Sequence, residues 1–299
     1  MDRVIKALAH DGRIRIIVAK TTDLVEKARI IHDTHPTVSA AFGRLLSMST
    51  IMGSMLKNPN EQITCTIRGD GPIVKIMAIS NLNGEIKGYV AQPHVHFINE
   101  NTKKLNVAKA IGAGTLEVVK DMKLKSNFTS TIHLVSSEIG EDFAQYFTVS
   151  EQTPSAVSVG VLVDKDHSVL AAGAIVIQMM PDATEEDILE AEHVIKHLKP
   201  VSTIFAEDQN PQDIAKALFY DVTIIGEQTL EYVCDCSRQR THDALKLVDI
   251  LDLKDMLLED EQAEVICQFC KTQYLFDKLD LAEIIKEKID FNENKKHSH

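Results

Sequence analysis

The stretch Cys234-Asp235-Cys236, followed after thirty residues by Cys267-Gln268-Phe269-Cys270, decides the C-terminal part of the fold. It contains four of the five cysteines of the chain. Thiolate is a soft ligand, and two close cysteine pairs that meet across a loop form a tetrahedral zinc site. Residues two apart in an extended segment point the same way, so Cys234 and Cys236 can face one ion. The spacing therefore predicts one zinc ion per chain, bound by Cys234, Cys236, Cys267 and Cys270.

Other interpretations of these cysteines stay open at this point: two unrelated surface pairs, a structural disulfide framework, or a thioredoxin-like dithiol. A thioredoxin-type C-x-x-C opens a helix, whose dipole lowers the thiol pKa. Here Val265-Ile266 precede the pair and Tyr274-Leu275-Phe276 follow it, which predicts a β-hairpin. His242 is an alternative ligand in place of one sulfur. Arg238 and Arg240 either pair with the negative charge of a zinc tetrathiolate or are solvated.

Oxidation of the two cysteine pairs has a predictable consequence. A structural zinc contributes about 10–16 kcal/mol in small fingers, which is comparable with the stability of a whole domain. If each pair closed locally, the two short disulfide loops would contribute only about 1.5–2 kcal/mol each. An oxidant would then replace a strong long-range connection by two weak local ones, which is how a redox switch behaves. The same spacing also fits an inert zinc ribbon.

Composition and charge narrow the class of protein. The chain has 299 residues, of which 44% are apolar and 25% charged, with a net charge of −12. Residues 232–299 carry ten Lys/Arg against fifteen Asp/Glu, so nucleic acid is not predicted as a partner. The opening residues lack a secretory pattern, which predicts a cytoplasmic protein. Residues 38–56 are too polar to cross a bilayer, so no membrane partner is predicted.

Residues 1–180 predict an α+β core domain, in which helices pack on a mostly antiparallel sheet. Two strands, Val4–Leu8 and Arg13–Lys20, flank the turn dipeptide Asp11-Gly12. A helix that begins near Thr37 has an apolar stripe and an opposite side of small residues, which predicts the central helix of the domain. The later strands are predicted at 63–67, 73–79, 85–91, 115–120, 130–135, 157–163 and 169–180, with a helix at 138–149.

Residues 181–231 predict a helical linker domain. Thr184 and Asp187 have the spacing of a capping box at the start of an amphipathic helix, and another short helix follows Pro211. These helices are too small to form a core of their own, so they are expected to pack on the large domain. Their release would expose apolar surface on both partners. Residues 232–299 form the third predicted domain, which contains the four cysteines and a last helix at 280–289.

No catalytic motif is found in the sequence. It lacks G-x-S-x-G, a phosphate-binding loop, G-x-G-x-x-G and H-E-x-x-H. The neighbours His10-Asp11 and His32-Asp33 are weak acid/base candidates, because adjacent side chains on a strand or helix point apart. Cys65 lies on the buried face of a predicted strand and is expected to be an inert core thiol. The chain is therefore predicted not to be an enzyme.

Taken together, these motifs resemble the redox-regulated bacterial heat-shock chaperones of about 33 kDa, the heat-shock protein 33 family, over nearly the whole chain. The resemblance rests first on the two cysteine motifs, the first extended to Ser237-Arg238, and on Tyr274-Leu275-Phe276. The supporting segments are Arg68-Gly69-Asp70-Gly71-Pro72, Gly114-Thr115-Leu116, Ser150-Glu151-Gln152-Thr153-Pro154-Ser155 and Ala172-Gly173-Ala174 leading to Gln178. Two departures from the family pattern, Gln239 and Ala174, do not involve the cysteines.

The resemblance implies an ATP-independent holdase that is inactive when reduced and zinc-bound. It implies that oxidation forms the disulfides Cys234–Cys236 and Cys267–Cys270, releases zinc, and unfolds the C-terminal region and the linker. The exposed surface would bind unfolding client proteins, in a homodimer when oxidised, and pass them to an ATP-driven foldase. Two alternatives of other classes are a thiol-disulfide oxidoreductase and a zinc-ribbon regulatory binding module.

Overall fold

A computed structural model of the chain describes residues 1–296, with side chains as far as residue 290. Its described part divides into two units, Met1–Val233 and a second unit that begins at Cys234. The sequence predicts a boundary at residue 232, but Glu231–Tyr232 forms a short strand of the first unit. The last three residues of the predicted segment 232–299 lie outside the described residues.

The first unit contains two β-sheets and helices packed against them. Its strands are β1 Arg3–Ala9, β2 Ile14–Lys20, β3 Gln62–Gly69, β4 Lys75–Asn81, β5 Glu85–Val90, β6 Gly114–Asp121, β7 Phe128–His133, β8 Ser155–Val163, β9 Val169–Met179, β10 Thr223–Thr229 and β11 Glu231–Tyr232. Its helices are α1 Thr22–His32, α2 Pro36–Ser54, α3 Val107–Ile111, α4 Gly140–Val149, α5 Glu185–His197, α6 Val201–Ala206 and α7 Pro211–Leu218.

The two sheets are almost entirely antiparallel. One has the strand order β10-β1-β2-β9-β8 and the other β11-β5-β4-β3-β6-β7. Only the short pairing of β11 with β5 is parallel among these strands. The period-two alternation of β3 places Ile63, Cys65 and Ile67 on one buried face. The predicted α+β class with a mostly antiparallel sheet is confirmed, and the strands divide into two sheets.

Helix α2 lies between the two sheets and is the central helix, as predicted. Every residue from Pro36 to Ser54 is buried except Arg44, which is partly exposed. A Cβ atom on Gly43 would lie 2.6 Å from a methyl group of Val25 and 2.9 Å from one of Val161. The small residue at this position therefore allows the backbone of α2 to approach α1 and β8 closely. Within residues 1–296, no helix combines the length and the apolar character that a bilayer crossing requires.

Residues 181–231 pack on the outer face of the five-stranded sheet. Apolar residues of α5, α6 and α7, including Ala191, Phe205 and Ile214, share a buried cluster with Ile16 and Ile175 of the sheet. This region is not entirely helical, because β10 extends the sheet by pairing with β1. The prediction missed β10 because its side chains alternate between exposed and half-buried and give only a weak apolar pattern. Residues 1–180 and 181–231 belong to one compact unit. A division of the chain into three domains stays a prediction.

The buried carboxyl group of Asp2 predicts how the first unit responds to pH. Its Oδ2 accepts a 2.7 Å hydrogen bond from the Leu24 N–H, and burial outweighs this bond and raises its pKa to about 6. As the pH rises, the Asp2 carboxyl therefore ionises in the unfolded chain before it ionises in the folded protein. The free energy of unfolding falls between about pH 4 and pH 6. Asp2→Asn keeps the acceptor without the charge, so we expect it to stabilise the protein at pH 7.5 by about 2–3 kcal/mol.

Urea unfolding of Asp2→Asn across pH 4–8 measures this effect. Asp11→Asn is the matched control, because the Asp11 side chain is 98% exposed and its substitution should leave the pH profile unchanged. If the stability of Asp2→Asn falls as steeply as that of the parent when the pH rises from about 4 to about 6, the Asp2 carboxyl is not the cause of the fall.

The second unit is small. It contains α8 Arg238–Leu245, α9 Ile250–Asp255, a π turn at Met256–Asp260, the hairpin strands β12 Gln262–Ile266 and β13 Gln273–Asp277, and α10 Lys278–Lys296. Strands β12 and β13 pair antiparallel, which confirms the predicted hairpin, and the predicted last helix lies within α10. Among residues 234–290, its buried apolar cluster consists of Leu245, Leu253, Phe276, Ile284 and Ile285, and Leu281 is also buried. Such a small core supplies little stability, so a unit of this size needs a further connection.

Candidate metal centre

The four cysteines of the second unit meet at one point. Their Sγ atoms all lie within 4.8 Å of one another. The Sγ atoms of Cys234 and Cys267 are 3.7 Å apart, and those of Cys236 and Cys270 are 3.3 Å apart. A tetrahedral zinc tetrathiolate with Zn–S distances of about 2.3 Å has sulfur–sulfur edges of about 3.8 Å. The four half-buried thiols are free and can hold one metal ion.

Two different local structures position the two cysteine pairs. Cys234 and Cys236 lie in the segment between β11 and α8, and Ser237 then caps α8 by accepting a hydrogen bond from the Arg240 N–H at 3.2 Å. Cys267 and Cys270 lie in the turn between β12 and β13. The Cys267 N–H donates to the Thr272 carbonyl at 2.9 Å, which closes this turn. The C-x-x-C motif therefore does not open a helix, in contrast to the thioredoxin-like arrangement.

The electrostatics of the four thiols favour a bound cation. Burial raises the pKa of Cys234 and of Cys236 above the ordinary thiol value. At Cys270 burial also acts to raise the pKa, but hydrogen bonds from Thr272 and from neighbouring thiols outweigh it and lower the pKa to about 6. Four crowded sulfurs cannot all ionise together without a compensating charge. A divalent cation supplies that charge and converts the thiols into thiolate ligands.

The charged groups around the cysteines are paired with carboxylates. Arg238 donates to Asp280 at 2.6 Å and lies over the Phe276 ring at 4.4 Å. Arg240 forms an ion pair with Asp235, between the first two cysteines. The Arg238–Asp280 pair links the start of α8 to the first turn of α10, whereas the Arg240–Asp235 pair is local in sequence. His242, the alternative ligand, is not part of the sulfur cluster; its ring lies 6.5 Å from that of Phe276 and faces the carboxylate of Asp243.

The remaining candidates lie in the first unit and take no part in this site. His10 forms a 2.5 Å contact with Asp187 rather than with Asp11. The His32 ring lies 3.1 Å from the Tyr232 hydroxyl. The hydrogen-bonding carboxylate partner of His10 is therefore Asp187, 177 residues away, rather than its sequence neighbour. The His10–Asp187 contact could not be found from spacing, and its only sequence signal is the capping box that contains Asp187.

Cys65 is expected to resist modification under conditions in which the other four cysteines react. It is fully buried, and burial raises its pKa to about 12. Thiolate is the reactive form, so a buried thiol with a raised pKa is inert. Alkylation of the reduced chain with iodoacetamide in the presence of a chelator, followed by mass spectrometry, should show four modified cysteines and an unmodified Cys65. Labelling of Cys65 at a comparable rate would contradict its assignment as an inert core thiol.

The fold and the site together define a class: a two-sheet α+β unit followed by a small unit whose four cysteines can hold a metal ion. The chain matches the family model described as Hsp33 protein over residues 2–277. It is 41% identical to a 33 kDa chaperonin of Bacillus velezensis over 289 residues, covering 96% of this chain and 99% of that protein. It is 43% identical to a 33 kDa chaperonin of Geobacillus kaustophilus over 286 residues, covering 95% and 97%.

A solved structure gives the same result. The crystal structure of the 33 kDa chaperonin of Thermotoga maritima, a heat shock protein 33 homologue, matches with a TM-score of 0.89 at 35% identity, covering 97% of this chain and 99% of that one. The chain therefore belongs to the Hsp33 family, and it is an Hsp33-type 33 kDa chaperonin.

Proposed function

We propose that this protein is a redox-regulated, ATP-independent holdase. The observation that carries the proposal is the convergence of four free thiols from two separate segments within 4.8 Å. In the reduced state, Cys234, Cys236, Cys267 and Cys270 hold one zinc ion and the protein is inactive. Zinc here supplies structural cross-linking, because it joins two segments about thirty residues apart in a unit with a small core.

Oxidation acts on the thiols of the two motifs. The two thiolates of each pair, Cys234–Cys236 and Cys267–Cys270, together lose two electrons and form one sulfur–sulfur bond. With hydrogen peroxide as the oxidant, each disulfide formed reduces one peroxide, which takes two protons from solvent and becomes two water molecules. Disulfide sulfurs are poor metal ligands, so the connection between the two motifs is lost. Each new loop is short and stabilises the unit by only about 2 kcal/mol, so the unit unfolds.

The surface for clients is the apolar face beneath residues 181–231. Ile16, Val18, Ile175 and Ile177 are buried there under the linker helices. If the linker detaches, these side chains form a contiguous apolar surface on a rigid sheet, which is the kind of surface that binds unfolded chains. The domain organisation proposed is therefore a core of residues 1–180, a detachable linker of residues 181–231 and a switch domain of residues 232–299.

The partners in this proposal are unfolded or oxidatively damaged proteins. The active form is a homodimer, which passes its clients to an ATP-driven foldase. The net charge of −12 supports a protein that binds neither nucleic acid nor anionic membranes. We propose a cytoplasmic location, where reduced thiols are the resting state. We assign no catalytic activity.

Zinc release and holding activity, measured in parallel, test the proposal. The reduced, zinc-loaded protein is treated with peroxide at mildly unfolding temperature in the presence of a chromogenic chelator. Light scattering of an aggregating test protein is followed in aliquots. About one zinc per chain should be released as aggregation is suppressed, and disulfide mapping should identify Cys234–Cys236 and Cys267–Cys270.

Two outcomes would contradict the proposal. Zinc that leaves without any gain in holding activity would make the site structural. Catalytic turnover in an insulin-reduction assay would instead support a thiol-disulfide oxidoreductase.

A further inference from the structure

Three histidines from separate segments of the first unit meet on its surface. His35 lies between α1 and α2, His94 follows β5, and His167 lies at the tip of the β8–β9 hairpin. The ring centroids of His35 and His94 are 4.9 Å apart, and those of His35 and His167 are 6.2 Å apart. The site and function described above use none of these three side chains. Their convergence from positions so far apart in sequence requires a separate explanation.

We propose that His35, His94 and His167 form a second metal site, which binds a divalent transition-metal ion through imidazole nitrogen. Metal–nitrogen distances of about 2.0–2.1 Å in a tetrahedral site place the ring centroids about 5 Å apart. The two observed separations lie on either side of that value. Imidazole donors select zinc, nickel and copper rather than magnesium or calcium. The ligand class is therefore a borderline transition-metal dication.

A carboxylate already orients one of the three rings. His94 Nε2 lies 2.9 Å from Asp33 Oδ2, which leaves Nδ1 of the same ring available to a metal ion. A metal-bound histidine usually donates its other N–H to a carboxylate, which fixes the tautomer and increases the basicity of the ligand. Asp33 therefore has the position and chemistry of such a partner. In the described part of the chain, the His35 and His167 rings make ring contacts, and no hydrogen bond occupies their nitrogens.

Backbone contacts hold the three segments near one another. The His35 N–H donates to the Pro93 carbonyl at 2.9 Å, next to His94. The His167 N–H donates to the Asp164 carbonyl at 3.1 Å and closes the hairpin tip. The ring nitrogens do not converge in this structure. With His94 held by Asp33, binding requires rotation of the His35 and His167 side chains. His167 is exposed and His35 is half-buried, and exposed side chains rotate on the ps–ns timescale without backbone movement.

This site has a different chemistry from the four-cysteine centre. Peroxide converts thiols into disulfides, whereas these ligands contain no sulfur to oxidise. The three-histidine site is therefore expected to retain its metal under conditions that empty the cysteine site. The three ligands of this site come from the loop between α1 and α2, the segment after β5 and the β8–β9 hairpin. An ion bound there would link these three segments and should stabilise the first unit.

Another pair of histidines provides an internal control. His193 and His197 lie one turn apart on α5, with ring centroids 4.1 Å apart. The Nδ1 atom of His197 already lies 2.8 Å from the His193 carbonyl oxygen, and this pair offers only two side-chain ligands. A helical pair of this kind is the alternative source of metal binding that would need no tertiary site. A variant that lacks the His193–His197 pair shows whether metal binding comes from the three-histidine site or from other histidines of the chain.

The experiment uses the reduced, zinc-loaded full chain and Ni²⁺ as the probe. Calorimetric titration should give one saturable Ni²⁺ site, and paramagnetic broadening in imidazole NMR spectra should identify His35, His94 and His167. The triple variant His35→Asn, His94→Asn, His167→Asn should weaken binding at least about tenfold, and Asp33→Asn alone should weaken it about 10–100-fold. The control variant replaces His193, His197, His297 and His299 by asparagine and should bind Ni²⁺ as the parent does.

Three results would overturn the proposal. These are no saturable Ni²⁺ binding by the parent, unchanged affinity in the triple variant, or loss of the site in the control variant. The circular dichroism spectra of all variants show whether folding is retained. The zinc content of the cysteine site is measured separately in each, so a failure of the redox proposal does not affect this test.

Discussion

The Cys234→Ser chain is expected to lack tightly bound zinc and to have an unfolded second unit beside a folded first unit. The serine hydroxyl is a hard, weakly acidic ligand, and the remaining three sulfurs leave the site incomplete. Structural zinc contributes about 10–16 kcal/mol in small fingers, more than the six buried apolar residues in the described part of this unit can replace.

Metal analysis and two-dimensional NMR measure this outcome. Cys234→Ser should give less than one tenth of an equivalent of zinc, as an order-of-magnitude expectation, and collapsed amide dispersion for the residues after Val233. Cys65→Ala is the matched control, since it also removes a sulfur but lies in the core of the first unit. That variant should retain its zinc. A folded second unit in Cys234→Ser without metal would show that the apolar core suffices and would remove the physical basis of the switch.

Local patterns made much of the fold and the candidate site predictable from sequence. The spacing of the two cysteine motifs predicted a ligand set, and the structure brings their four Sγ atoms within 4.8 Å of one another. The central helix was identifiable because an apolar stripe and a line of small residues lie on opposite sides of α2. In the β-strands, the period of two is a short-range signal that does not depend on the partner strand.

Features that depend on distant partners were not predictable. Strand β10 exists because β1 offers an edge to pair with, and its own sequence gives little signal. The three-histidine cluster depends on loops whose positions follow from the folded sheets. The His10–Asp187 contact joins residues 177 apart in sequence. In each case the decisive interaction is tertiary, and it overrides or supplements local preference.

Asp187 is the polar residue that fixes the start of α5 to the body of the first unit. It is buried and accepts from Arg13 Nε at 2.8 Å, while its other oxygen lies 2.5 Å from His10 Nδ1. It also caps its own helix by accepting from the Thr184 N–H at 2.7 Å. The hydrogen bond from Arg13 and the others together hold the pKa of Asp187 well below its usual range, so it remains ionised near neutral pH. One carboxylate thus connects the proposed linker to the turn between β1 and β2.

Asp187→Asn is therefore expected to loosen residues 184–198 and to lower the stability of their contact with the sheet by about 3 kcal/mol. Asparagine keeps the size of the side chain but removes the charge and one acceptor, which leaves Arg13 without its buried partner. Hydrogen exchange followed by mass spectrometry should show faster exchange in α5, while β3 and β6 keep their protection.

The matched control, Glu186→Gln, removes a charge from the same turn at an exposed position. It should leave exchange in α5 unchanged. If the proposed function is correct, Asp187→Asn should also suppress aggregation at a lower peroxide dose than the parent, because part of the energy that holds the linker is already lost. If α5 exchanges faster in Asp187→Asn but the peroxide dose needed to suppress aggregation is unchanged, Asp187 holds α5 in place as argued. That result would contradict the separate proposal that release of α5 exposes the client surface.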